Sequence, residues 1–174
     1  MKQFLAGLLS FVLTTAVWGQ QTILETTIQM ADLYSGNPIE VQLTNQSSGF
    51  TVQPTDKNMS RFSIKWEDGA SWNFRFGEEI VLTDQSGEVL ISSQQGKTYF
   101  PLKSKLLQRK VTDHGVHFLN DKEEKIFSAT RYFEGLFPSS VDIWMKSWSE
   151  QPVANELVVA ALIEILRQIY FFEG

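Results

Sequence analysis

The most concentrated chemistry in this chain is a basic run, Lys97, Lys103, Lys105, Arg109 and Lys110, set between Gly96 and Val111. The protein around it is acidic, with 15 Lys and Arg against 20 Asp and Glu and a formal net charge of −5. A local reversal of sign suits an anionic lipid or glycan, at about 1 kcal/mol per charge near a membrane surface. The same residues would serve equally as a solvated strand face, or as lysines that guard an edge strand against pairing with another chain.

Other candidate groups are sparser. Asp113-His114-Gly115-Val116-His117 holds both histidines. Two imidazoles three apart beside an acid have metal-ligand chemistry. On a strand, however, positions 114 and 117 face opposite sides, and the spacing supplies no third ligand. A turn histidine plus a strand histidine is therefore expected, with no metal and no cofactor. No Gly-x-Ser-x-Gly elbow, phosphate-cradling glycine loop or cysteine nucleophile occurs, so no catalytic residue is expected. Glu164 stands beside Arg167 and Gln168 in an otherwise apolar stretch; if buried, it must pair or have its pKa raised. Trp66, Trp72, Trp144 and Trp148 sit at strand-alternation positions, where core packing is the default and a carbohydrate platform requires several to be exposed together.

The first residues carry Lys2, an apolar stretch from Phe4 to Val12, and Val17 and Gly19 at small-residue positions. They read as a secretory signal peptide spanning residues 1–19, cut before Gln20. The expected compartment is secreted or periplasmic, and loss of Lys2 leaves a more acidic chain for which nucleic-acid binding is not expected. The chain has no cysteine, so an exported domain at 20–174 must rest on its hydrophobic core alone. Its 13 Phe and 5 Trp favour packed β structure.

What must position these groups is a series of short strands. Residues 20–38 are polar and mixed, with loop breakers from Asp32 to Pro38. After them, alternating segments recur at 39–44, 50–52, 61–66, 71–76, 80–82, 89–91, 98–102, 106–112, 116–119, 125–133 and 141–148. Asp68-Gly69 and Asp84-Gln85-Ser86-Gly87 supply hairpin turns. The last segment, 155–174, is different. Every side chain from Leu157 to Ile163 is apolar, and the polar residues Glu164, Arg167 and Gln168 form one narrow stripe. Asn155 is the expected N-cap. The uninterrupted apolar run is too short to span a bilayer, so no transmembrane segment is expected after removal of the leader. Amphipathic strands need something to cover their apolar face, and an oily helix needs a wrapper. The expectation is a closed or nearly closed antiparallel β-barrel of about ten to twelve strands around a buried hydrophobic C-terminal helix.

This pattern resembles the tubby-like C-terminal fold shared by tubby proteins, phospholipid scramblases and plant LURP-one-related proteins. The resemblance rests on Leu157 to Leu166 with Tyr170-Phe171-Phe172-Glu173, and on the Asp84-x-x-Gly87 hairpin within Ile80 to Ile91. It implies a barrel of about twelve strands around the terminal helix. Because tubby proteins bind phosphoinositide head groups through basic side chains, it also implies a use for the basic run. The scramblase cysteine-rich segment and a calcium-loop pattern of acids have no counterpart here. The expected function is an exported, non-enzymatic binding or interaction module for anionic lipid, a membrane surface or an envelope component. A calycin-type carrier of a small apolar ligand is the alternative, and a hydrolase the third class.

Overall fold

The computed structural model describes residues 20–44, 48–101, 105–134, 138–149 and 152–172. The leader read at 1–19, Lys103, and parts of the turns read at 45–49 and 135–140 lie outside them. The elements in chain order are β1 (Gln21–Gln29), α1 (Met30–Ser35), β2 (Ile39–Gln42), β3 (Gly49–Pro54), β4 (Arg61–Trp66), β5 (Ser71–Arg75), β6 (Ile80–Asp84), β7 (Val89–Gln94), β8 (Lys97–Phe100), β9 (Lys105–Thr112), β10 (Gly115–Leu119), β11 (Lys125–Phe133), β12 (Ser140–Ser147) and α2 (Asn155–Phe172).

From β2 to β12 each strand pairs antiparallel with the next, as expected of alternating segments joined by short turns. Asp84 shows how such a turn is held. Its Oδ1 accepts hydrogen bonds from the N–H groups of Ser86 (2.8 Å) and Glu88 (2.8 Å), while Gly87 takes the left-handed φ of +87°. These bonds hold the Asp84 carboxyl below its ordinary pKa, the Ser86 hydroxyl contributing most.

β1 pairs with β12, not with β2, so the first strand lies along the last. The Thr44 N–H then donates to the Ile23 carbonyl at 2.9 Å across the seam between β1 and β2, and the twelve-stranded sheet is nearly closed into a barrel.

Here the structure corrects the reading of residues 20–38 as a polar and mixed segment without a strand. The segment is rich in β-branched residues (Thr22, Ile23, Thr26, Thr27, Ile28), which suit a pleated surface. A β-bulge between Thr22 and Leu24 buries both Ile23 and Leu24, breaking the alternation by which a strand is recognised. The breakers after Asp32 end the short helix α1. Gly36 adopts φ +69°, and the Asn37 N–H returns to the Asp32 carbonyl at 3.0 Å.

The helix α2 packs against the inside of this sheet. Val159, Ala161, Leu162, Ile163, Ile165, Leu166 and Ile169 have no exposed surface. Each large aliphatic side chain removed from water contributes about 2 kcal/mol, which drives the sheet around the helix. The wall side of the core comes from inward rows such as Ile64, Leu82, Val116, Ile143 and Met145. The helix starts one residue earlier than expected: the Ala154 carbonyl accepts from the Val158 N–H at 3.3 Å, so Ala154 takes the cap position and Asn155 is the first helical residue.

Candidate functional site

Strand alternation divides the basic run between the two sides of the barrel wall. On β9, Leu107 and Arg109 point inward, while Gln108 and Lys110 stand on the outer wall. Lys97 on β8 is exposed opposite Gln108. Lys105 shares the inward parity of Leu107 but lies at the open end of the barrel, exposed at the rim.

Arg109 is committed to the interior. Its Nη1 donates to Glu164 Oε2 of α2 at 2.5 Å, with the two side chains 16% and 10% exposed. Glu164 is thus paired, as a buried carboxylate must be. One turn on, the Arg167 guanidinium stacks 3.3 Å from the Phe76 ring centroid. Burial lowers the Arg167 pKa, with the nearby charges of Glu164 and Asp56 opposing that shift. Gln168 Nε2 donates to the Gly115 carbonyl at 3.5 Å. Gly115 is required at that crossing, because a Cβ there would lie 2.1 Å from the Ala129 carbonyl oxygen. These contacts fix the rotation and depth of the helix inside the sheet.

The outer wall carries a different set. Register aligns Lys110 with His117, His117 with Ser128, and Ser128 with Lys146, so one lateral row crosses β9, β10, β11 and β12. The next row runs from Lys97 through Gln108 and Leu119 to Lys125. Trp144 on β12 and Trp148, the residue after its last, flank Lys146 and are half-buried. The Lys125 ammonium lies 4.6 Å from the Trp148 ring centroid, and Tyr132 stacks on Trp144 at 6.1 Å and 20°. Tyr99 and Leu106 pair across β8 and β9 and are 42% and 54% exposed.

Among the described residues no carboxylate lies within ion-pairing distance of Lys97, Lys110, Lys125 or Lys146. The acids of this side are Asp121, Glu123 and Glu124 in the β10–β11 turn, Glu25 of β1 directly across from Trp144, and Asp142 of β12 across from Tyr132. The basic surroundings are felt by His117. Burial lowers its pKa first, and Lys125 and Lys110 lower it further.

The five residues of the basic run therefore do not form one surface. Lys97 and Lys110 face outward, Arg109 pairs inside, Lys105 sits at the barrel mouth, and Lys103 falls outside the described residues. Trp66 is buried and Trp72 packs edge-on against it at 4.9 Å, as core packing requires. Trp144 and Trp148 depart from that expectation and lie on the outer wall. Lys125, Lys146, His117 and this tryptophan pair were not singled out together from sequence. The spacing of Trp144, Lys146 and Trp148, two apart on one strand, was the available signal.

His114 is exposed in the β9–β10 turn and His117 is on β10. Among the described residues no group of three or more His, Asp or Glu is placed to hold a metal ion, and no helix is long and apolar enough to cross a membrane. Compared with protein-family models, characterised proteins and solved structures, the chain matches none.

Proposed function

We propose that the protein is an exported, non-enzymatic module that docks on an anionic lipid surface through the outer wall of β8 to β12. The observation that carries this reading is the lateral row of Lys110, His117 and Lys146, aligned through the buried Ser128, joined by Lys97 and Lys125 and interleaved with Trp144, Trp148, Tyr132 and Tyr99. Lysines with no carboxylate partner among the described residues, on a protein of net charge −5, complement a negative surface. Amphipathic Trp and Tyr rings are suited to the level of lipid head groups, with lysine stems along them. The resemblance to the tubby-like fold points to the same ligand chemistry, and residues 1–19 supply the reading of export.

Each lysine near an anionic bilayer contributes about 1 kcal/mol, so the four together favour association by about 4 kcal/mol before the aromatic rings are counted. Sedimentation with phosphatidylcholine vesicles, with and without phosphatidylglycerol, tests this. Binding is expected only with the anionic lipid and should weaken as salt screens it. Lys110→Glu with Lys146→Glu reverses two charges, which removes about 4 kcal/mol, roughly a thousandfold in partitioning. Equal binding to both vesicle types, or a double variant that binds like the parent protein, overturns the proposal.

A further inference from the structure

At the end of the barrel where α2 begins, a cavity of about 830 Å³ lies between the first turn of the helix and the wall. That volume is in the range of small-molecule sites, roughly 300–1,000 Å³. Its lining is graded. Phe100, Leu107, Phe127 and Leu157 are buried and form an apolar floor, and Trp72 and Ile126 are half-buried above them. Of the polar lining side chains Lys105 is exposed at the rim, while Ser149, Asn155 and Glu156 are half-buried. Lys105 has no ion-pair partner among the described residues. An apolar floor beneath a rim that carries a free ammonium is the shape of a site for an amphipath, with its hydrocarbon inside and its anionic head at Lys105.

We infer that this cavity takes an acyl chain ending in an anionic head group. The helix fills the barrel axis, yet it leaves this space at its own N-terminal end, so an interior helix and a ligand site coexist. The site has a wall in common with the outer face: Phe100 and Leu107 line it, while their strand neighbours Tyr99 and Leu106 project from the other side of β8 and β9. The ligand chemistry has two sources, a free fatty acid or a chain of an anionic phospholipid. Glu156 is the one carboxylate among the described lining residues.

The test uses the purified full chain and cis-parinaric acid, a fluorescent polyene fatty acid that accepts energy from tryptophan. Saturable one-to-one binding with transfer from Trp72 is expected, and the methyl ester should bind about tenfold more weakly, the worth of one charge-assisted contact. Lys105→Glu should weaken the acid by at least the same factor, and Val153→Trp should fill the cavity and abolish binding. Lys105 is exposed, so its reversal keeps the test decisive even if Val153→Trp folds poorly. The Lys110→Glu, Lys146→Glu double variant should bind free parinaric acid like the parent protein, which separates this site from the docking face. Signal from the free acid identifies fatty acid as a source, and signal from parinaroyl phosphatidylglycerol in vesicles identifies membrane lipid. Silence from both, or binding that Lys105→Glu leaves unchanged, overturns the inference.

Discussion

Removing Glu164 should cost more than removing the arginine it binds, and the difference can be worked from the geometry. The Arg109–Glu164 pair is nearly buried, with an N–O distance of 2.5 Å. Two cations depend on this carboxylate: Arg109 directly, and Arg167, whose pKa burial depresses and Glu164 partly restores. Glu164→Leu strands both guanidinium groups and should destabilise by about 3 kcal/mol, at the low end of the cost of breaking a buried pair. Arg109→Met leaves Glu164 the nearby charge of Arg167 and should cost about 2 kcal/mol, the value of one lost charged hydrogen bond. In the double variant the pair is gone as a unit, and only the loss at Arg167 remains. The double cost should then be about 2 kcal/mol, below that of Glu164→Leu alone and not the additive 5, a coupling of about 3 kcal/mol. Urea denaturation of the four proteins measures this. The Glu164→Leu loss should also appear as a fall in Tm of about 6–12 °C for a domain of this size. Additivity within about 0.5 kcal/mol, or a Glu164→Leu protein more stable than the parent, refutes the interior ion pair as the lock between helix and sheet.

Two further outcomes follow from named atoms. Gly115→Ala places a methyl group 2.1 Å from the Ala129 carbonyl oxygen and forces β10 and β11 apart, so a loss of about 2–3 kcal/mol and weaker hydrogen-exchange protection on both strands are expected. His117 has a folded-state pKa below its ordinary value of 6.5, because of burial and then Lys125 and Lys110. The unfolded chain therefore binds its proton first, and the stability this group contributes is full above pH 6.5 and lost as pH falls through the lower folded value. His117→Gln should flatten that part of the stability profile in chemical denaturation at stepped pH; an unchanged profile contradicts the environment described.

Most of the architecture was legible from periodicity. Alternation located β2 to β12 to within a few residues, and the seven apolar side chains from Leu157 to Ile163 announced a helix with no solvent face. β1 was missed because its bulge at Ile23 and Leu24 breaks the two-residue period. The site was less legible. Proximity in sequence suggested one basic patch at 97–110, whereas alternation sends Arg109 inward to Glu164 and Lys110 outward to His117. Lys125 and Lys146 come from other strands, and only the antiparallel register of β9 to β12 brings Lys146 level with Lys110 and Lys125 into the adjoining row. A contact that depends on register between distant strands leaves no local mark in composition or spacing. The tubby-like resemblance stands as a proposal, for the family as for the ligand chemistry.

The most direct test of the docking face uses its own tryptophans. Trp66 is buried and Trp72 packs against it at the barrel mouth, whereas Trp144 and Trp148 lie on the outer wall beside Lys146 and Lys125. Vesicles of phosphatidylglycerol with bromine on the upper part of the acyl chains quench only indole rings that enter the lipid interface. The account predicts strong quenching of the parent protein and its loss in Trp144→Phe, Trp148→Phe. Quenching that is absent from the parent, or undiminished in the double variant, contradicts it.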